Sequence, residues 1–341
     1  LIKHFGSAEA VFQARAKELK VVTGVAEKTI GELQIPTAQH EAEQIMRFTE
    51  RFGVQIHHFT DSDFPWRFAR HGNAPALFYS KGHLDLNTSR SIAVIGTRKP
   101  SSRGIQQTEL LLSGLKEYQP LIISGLAYGV DINAHRKSLQ VGLSTVGVLG
   151  SGLNKIYPDA HRSTAKKMFA TGGLLSVYPH WVGPEKDHFP ARNRIVAMLA
   201  DMVIVVESDR QGGSMITANM ANEMKTPVGA FPGRHEDKKS AGCNELIKKN
   251  RAHLIESAED VAQVLNWLKS ELHNQQGKLF QDLTEEEQAI VKQLTEYPDA
   301  SVDDLRKSLA WPAAKLAGKI LDMELKGMLR VLPGPRYRLA Y

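Results

Sequence analysis

From Ser91 onward the chain alternates regularly between two kinds of segment. Six short apolar runs stand at 91–96 (SIAVIG), 120–125 (PLIISG), 144–150 (STVGVLG), 173–179 (GLLSVYP), 201–207 (DMVIVVE) and 227–233 (PVGAFPG). Near-continuous apolar runs of this length are the pattern of strands buried on both faces. The stretches between them carry apolar residues at helical spacing and predict helices over 104–117, 131–141, 159–171, 190–200 and 214–225. A further helix near 243–250, a short AHLI run and a helix over 257–271 complete the series. Strands alternating with helices imply right-handed crossovers. The expected fold is therefore α/β, an extended Rossmann-like, doubly wound, mostly parallel sheet.

The flanks are patterned differently. Residues 1–50 read as a small helical domain: SAEAVFQARAKEL begins at a Ser7 cap, and Gly24 marks a turn before another helix. Such a turn can touch a DNA backbone through its amides, but a helical packing module explains the same pattern and is preferred. Between 51 and 90 the signals are mixed, with VQIHHFT alternating like a strand and APALFYSKG reading as a strand and turn. The sheet domain is placed at 51–272, and the polar HNQQGKLFQD at 273–282 is read as a linker. Beyond it, Thr284 with Glu287 and Ser301 with Asp304 have the spacing of capping boxes. A third helix then leads to two short strands around LPGP, so 283–341 predicts a winged helix.

Composition alters this picture little. The chain has 341 residues, 42% hydrophobic and 23% charged, as ordinary globular proteins do. A net charge of +6 leans weakly toward polyanionic partners. The single cysteine, Cys243, excludes an internal disulfide, fits a reducing compartment and reads as a small buried residue. His57, His58 and His188 stand apart from other ligand types, so no metal is expected. No apolar run approaches the roughly 20 residues that span a membrane. No secretory leader is visible, and a cytoplasmic location is expected. The chain starts at Leu1 rather than Met, which leaves room for a short missing N-terminal piece.

In a doubly wound sheet, ligands sit at the carboxyl ends of the strands. Six loops empty there: Gly96-Thr97-Arg98-Lys99-Pro100-Ser101-Ser102, Ser124 to Gly129, Gly150 to Asn154, HFPARNR, Gly212-Gly213-Ser214 and Pro232-Gly233-Arg234. Any one of them is explained by turn chemistry, but together they collect glycines, hydroxyls and arginines on one edge. Helix N-termini and arginine forks hold phosphate. A dinucleotide site wants G-x-G-x-x-G after the first strand and an acid after the second. Here the loop is G-T-R-K-P-S and the second strand ends in IISG, so NAD and FAD are not expected. The P-loop of ATP hydrolysis is also missing. For nucleotide chemistry the candidate acids are Asp131, Glu207 and Asp209. Asp131, opening a helix, reads first as a cap, and Glu207 as a candidate ligand for a base or ribose. With no paired carboxylates, no nucleophile beside a base and no metal set, no catalytic residue is nominated and no cofactor is expected. A polymer's phosphates remain, tracked by arginines, with Tyr128 or Phe189 stacking a base.

The motifs AVIGTRKPSSRG, SGLAYGVDINAH, VGVLGSGLNKIYP, FPARNRIVAMLADMVIVVE, GGSMITANMANE and FPGRHEDKKSAGCNELI stand in the order of the DNA-processing protein A (DprA/Smf) family, which the chain resembles over nearly its whole length. DFPWRFARHGNAPALFYSKG resembles the family's entry to the sheet domain. The resemblance implies a single-stranded DNA-binding protein, usually a homodimer, that protects incoming DNA and loads RecA recombinase in natural transformation. It also implies the helical and winged-helix appendages. Carried over by motif, the DNA site involves Gly96, Thr97, Arg98, Ser124, Gly125, Arg192, Asn193, Arg194, Gly213 and Ser214. Three departures bear on local electrostatics: Val177 where glutamate is frequent, Tyr128 where some members are basic, and KKNRAHLI without the usual Gly-Ala. The alternative is a nucleotide hydrolase of the phosphoribohydrolase type on the same fold. Its P-G-G-x-G-T loop is replaced here by QGGSMITANMANE.

Overall fold

The computed structural model of the chain describes residues 1–33, 36–267, 283–297, 300–326, 328–332 and 336–339. Two units are distinguished, Leu1–Trp267 and Leu268–Tyr341. The proposed linker at 273–282 lies outside the described residues.

The first unit opens with helices α1 (Ile2–Phe5), α2 (Ala8–Gln13), α3 (Ala16–Lys20), α4 (Glu27–Leu33) and α5 (Pro36–Phe52). Ser7 caps α2, its hydroxyl accepting from the Ala10 amide at 3.0 Å. The short helices close around Val11, Leu19 and Ile30. By contrast, α5 places Ile45 and Phe48 against Tyr79, Leu149 and Leu174 of the sheet, and Phe48 stacks on His180 at 4.1 Å. Helix α5 thus shares its core with the sheet, and no core boundary falls at residue 50.

The chain continues as β1 (Gln55–His58), α6 (Trp66–Ala69), β2 (Leu77–Gly82), β3 (Ser91–Ile95), α7 (Ser102–Leu115), β4 (Leu121–Ser124), α8 (Val130–Val141), β5 (Thr145–Leu149), α9 (Arg162–Met168) and β6 (Gly173–Ser176). It ends with α10 (His188–Met198), β7 (Met202–Val205), α11 (Gly213–Glu223), β8 (Val228–Ala230), α12 (Ala241–Lys248), β9 (His253–Leu254) and α13 (Ala258–Val264). The strands form one sheet in the order β1-β2-β6-β5-β4-β3-β7-β8-β9. Every pair from β6 to β9 is parallel, and β1 and β2 add an antiparallel edge. This is the doubly wound, mostly parallel sheet that the apolar pattern predicts.

Alternation along β3 explains why its run reads as continuously apolar. Ile92 and Val94 pack with Leu111, Leu112 and Leu115 of α7, while Ala93 and Ile95 pack with Ile195, Met198, Met215 and Ala218 of α10 and α11. Each fully buried valine, leucine, isoleucine or methionine among them contributes about 1.5–3 kcal/mol. At the start of β3, buried Arg67 grips Asp201 through Nε at 2.9 Å and Nη2 at 2.7 Å, and Asp201 also accepts from the Ser91 amide at 2.8 Å. This clamp joins the beginnings of β3 and β7. Two predicted helices are shorter than their patterns. The 159–171 segment is a 3-10 turn at Asp159–His161 followed by α9, because the chain must already descend into β6 at Gly173. Helix α13 stops at Val264, with Asn266 at a left-handed φ of 52°, and positions 268–271 of the predicted helix lie outside the described residues.

The second unit comprises α14 (Glu285–Glu296), β10 (Ala300–Ser301), α15 (Val302–Leu309), α16 (Ala313–Leu325), β11 (Leu329–Leu332) and β12 (Arg336–Leu339). Its strands run β10-β12-β11, antiparallel, over a core of Ile290, Leu294, Leu305, Leu316, Ile320 and Met323. Both capping boxes form: Glu287 accepts from the Thr284 amide at 2.9 Å and Asp304 from the Ser301 amide at 3.1 Å. The unit is a winged helix, with residues 333–335 of the LPGP turn outside the described set. The lysines of its third helix are engaged within the unit. Lys315 and Lys319 reach Glu286 at 2.6 and 3.3 Å, and Lys326, which follows the helix, reaches Glu287 at 2.7 Å.

Candidate nucleic-acid interface

Strand order reverses between β3 and β7, where the following loops diverge and leave a crevice. That crevice is filled from within. Glu207, 5% exposed, turns its carboxylate onto the start of α7. The Ser101 amide donates to its Oε2 at 2.8 Å, and the Ser101 hydroxyl donates to Oε1. The Thr97 amide donates to the Glu207 carbonyl at 2.7 Å. The helix start at which the sequence pattern places a phosphate therefore holds the protein's own carboxylate, which the helix dipole favours equally well. This corrects the reading of Glu207 as a base or ribose ligand: its oxygens are spent tying β7 to α7.

The open space lies over β4 and β5. A narrow cleft is lined by Arg98, Gly125, Tyr128, Tyr157, Phe189 and Arg192, with Leu149 to Ser151 among its other walls. The loop after β3 delivers Arg98. It rests on Gly129, whose φ is 82° and whose Cβ, if present, would lie 2.2 Å from the Thr97 carbonyl oxygen, so only glycine fits there. That oxygen accepts from the Val130 amide at 3.2 Å. On the opposite wall, a Cβ on Gly125 would fall 1.4 Å from Arg192 Nη1, so bare backbone lets the guanidinium lie against the β4 loop.

Arg192 is 5% exposed and Asp131 7%. Arg192 Nη1 donates to the Val148 carbonyl at 3.3 Å and stands 4.0 Å from Asp131 Oδ2, while its Nε has no hydrogen-bond partner. Asp131 does not cap its own helix; it accepts from the Ala127 amide of the β4 loop at 3.2 Å. Burial raises the Asp131 pKa, opposed chiefly by Arg192. Burial lowers that of Arg192, opposed by Asp131 and reinforced by Arg98. Phe189 faces both cations, with the Arg98 and Arg192 guanidiniums 5.7 and 5.8 Å from its ring centroid.

Behind the cleft, His161 Nδ1–H donates to the Leu126 carbonyl at 2.8 Å and its ring meets the edge of half-exposed Tyr128 at 4.8 Å. Leu126 is held at a φ of 61°, a strained value for leucine. His135, fully buried, hydrogen-bonds the Thr145 hydroxyl through Nδ1 at 2.7 Å. Burial, with His161 and Arg192 adding to it, lowers its pKa to about 3.

Of the residues singled out in the sequence, Arg98, Gly125, Tyr128, Phe189 and Arg192 meet in the cleft. Gly96 and Thr97 carry the loop that presents Arg98. Ser124 is buried, and its hydroxyl donates to the Val94 carbonyl at 2.6 Å. Asn193 and Arg194 follow on α10, half-buried, and do not line the cleft. Gly213 and Ser214 open α11 beyond the strand reversal, where the Ser214 hydroxyl donates to Ser208 Oγ at 2.8 Å. Tyr157, Pro158 and Pro184 also line the cleft and are not among the residues singled out in the sequence; the aromatic of NKIYP, in the loop that follows β5, was the available signal. Lys99 is exposed and outside the cleft. Burial pushes the Cys243 thiol up to about 12. Among the described residues no His, Cys, Asp or Glu cluster could hold a metal ion, and no helix is long and apolar enough to cross a membrane. Two guanidiniums flanking an aromatic face suit a phosphodiester beside a stacked base.

The chain is similar to several known proteins. Residues 55–266 match the family model of DNA recombination-mediator protein A, and residues 279–335 match that of the DprA winged helix domain. DNA processing protein DprA of Streptococcus pneumoniae is 40% identical over 201 residues, 59% of this chain and 71% of the relative. Protein Smf of Escherichia coli is 31% identical over 291 residues, 83% of this chain and 78% of the relative. The X-ray structure of the S. pneumoniae protein superposes with a TM-score of 0.65 at 33% identity, covering 77% of this chain and 90% of that one. A structure of the Helicobacter pylori DNA processing protein A, reported for its single-stranded DNA binding mode, gives a TM-score of 0.57 at 31% identity over 63% of this chain and 96% of that one.

Proposed function

The chain belongs to the DNA recombination-mediator protein A (DprA/Smf) family, and on that premise we propose that it binds single-stranded DNA at the carboxyl edge of its sheet and loads RecA recombinase onto it. The observation that carries the DNA-binding part is the cleft in which Arg98 and Arg192 flank Phe189. One phosphodiester sits between the guanidiniums, and its base lies on the aromatic ring. The filled crevice at Glu207 supports a polymer rather than a cofactor, because a mononucleotide's phosphate has no free helix start to occupy there. The protection of incoming DNA during natural transformation, the homodimer formed through the sheet unit and the cytoplasmic setting rest on family membership. The role is binding and delivery, without a catalytic step.

Affinity for a fluorescent oligothymidine, measured against salt and against duplex of the same length, tests the reading. With roughly three to five phosphates neutralised, log affinity should fall with log salt at about −0.7 per contact. Single strands should be preferred. A salt-independent affinity, or equal affinity for duplex, would refute it. Release of free base from nucleoside monophosphates would favour the hydrolase alternative.

A further inference from the structure

We propose that Asp131 is an internal counter-anion, competing with the bound DNA phosphate for Arg192 and so setting how readily the cleft releases its strand. The inference rests on the reading of the cleft as a single-stranded DNA site. It concerns a residue that lies outside the cleft lining and touches it through Arg192.

The protein contains a direct contrast. Where a buried arginine serves structure alone, the pair is close and double: Arg67 holds Asp201 at 2.9 and 2.7 Å. Arg192 and Asp131 are as deeply buried, yet their nearest approach is 4.0 Å. The rest of the Arg192 guanidinium is equally underused, with one long bond of 3.3 Å to a carbonyl and an Nε that finds no partner. A buried cation left this incompletely paired is costly to keep unless something else completes it. The cleft side of the guanidinium, beside Phe189 and Arg98, is where a phosphate completes it.

The charges match that role. Arg98 and Arg192 bring two positive charges, and Asp131 brings one negative charge from the wall. One positive charge is left over, which balances the single negative charge of one phosphodiester. A phosphate entering from the open side shares Arg192 with the carboxylate and is repelled by it. Little water intervenes to screen that repulsion. Affinity is thereby held below what two free arginines would give, and the effect falls mainly on dissociation, as expected for buried charge pairs. A protein that passes its strand onward needs such a release.

Two substitutions at this position should act in opposite directions. Asp131→Asn removes the charge and keeps an oxygen able to accept from the Ala127 amide. It should tighten oligothymidine binding about tenfold, mostly through slower dissociation in stopped-flow. Asp131→Glu extends the carboxylate by one methylene toward Arg192, closes the gap, and should weaken binding several-fold. Glu259→Gln, which removes an exposed charge from α13, controls for net charge and should change nothing. The Asn variant leaves Arg192 without its counter-ion and should melt lower when free. Melts are therefore run with and without oligothymidine, and DNA should raise the Asn variant's Tm by more than the wild type's. A purely structural Asp131 would weaken binding in both variants, and that result overturns the proposal, as does an unchanged affinity in Asp131→Asn or a smaller DNA-induced rise in its Tm. Failure of the wild type to bind single strands would instead overturn the assignment of the cleft itself.

Discussion

Replacing Arg98 by alanine is the cleanest probe of the cleft, because its guanidinium makes no ion pair among the described residues. It stands over Phe189 and repels Arg192. Removing it leaves no buried partner stranded. Removing Arg192, in contrast, would leave the Asp131 carboxylate buried and unpaired, confusing lost affinity with lost fold. A hydrogen bond to a charged group is worth about 1.5–3 kcal/mol. Arg98 is exposed, so solvent and salt screen it and the lower part of that range applies. We expect Arg98→Ala to lose about 1.5–2 kcal/mol of binding, roughly ten- to thirtyfold in affinity. Arg98→Lys should recover only part of this, since an ammonium cannot reproduce the planar fork. Lys99, its exposed neighbour outside the cleft, is the control, and Lys99→Ala should cost less than about 1 kcal/mol. Melting should be unchanged or slightly raised in Arg98→Ala, because the repulsion on Arg192 is relieved. Fluorescence anisotropy on a labelled oligothymidine, at one low and one moderate salt, measures all three variants. Wild-type affinity in Arg98→Ala, with an intact melt, would show that this loop holds no phosphate.

Three further outcomes are expected. Phe189→Ala should lose about 1–3 kcal/mol of single-strand affinity through lost stacking, with a salt slope close to wild type, and a changed slope with unchanged affinity at low salt would argue against stacking. His135 has its pKa lowered from 6.5 to about 3 in the fold, so the unfolded chain takes up the proton first; the sheet unit should lose about 1.4 kcal/mol of stability per pH unit as pH falls from 6.5 toward 3, and denaturant melts of His135→Asn should show a flatter profile. Deleting 283–341 should leave a folded sheet unit that still binds single strands, because the two units have separate cores; complete loss of binding by a folded truncation would place the main site in the winged helix.

Local pattern was enough to specify the strands of the parallel sheet, the doubly wound class and the two capping boxes of the second unit, though not the role of Asp131, which reads as a cap and is not one. Each strand from β3 to β8 is buried on both faces, so its residues read as unbroken apolar runs. A capping box such as Thr284 with Glu287 closes over three residues. The arginines and Phe189 of the cleft were also legible, because in a parallel sheet every loop that follows a strand arrives at the same edge. Side-chain partnership across that edge was not legible. Glu207 and Ser101 are 106 positions apart, and only the lateral pairing of β3 with β7 brings that carboxylate to the start of α7 and closes the crevice. Asp131 meets Arg192 because α10 crosses beside the β4 loop, where Gly125 leaves room for a guanidinium. Periodicity encodes which face of an element is apolar. Which charges find each other is decided when the elements pack, since burial makes an unmet charge expensive wherever in the sequence its partner lies.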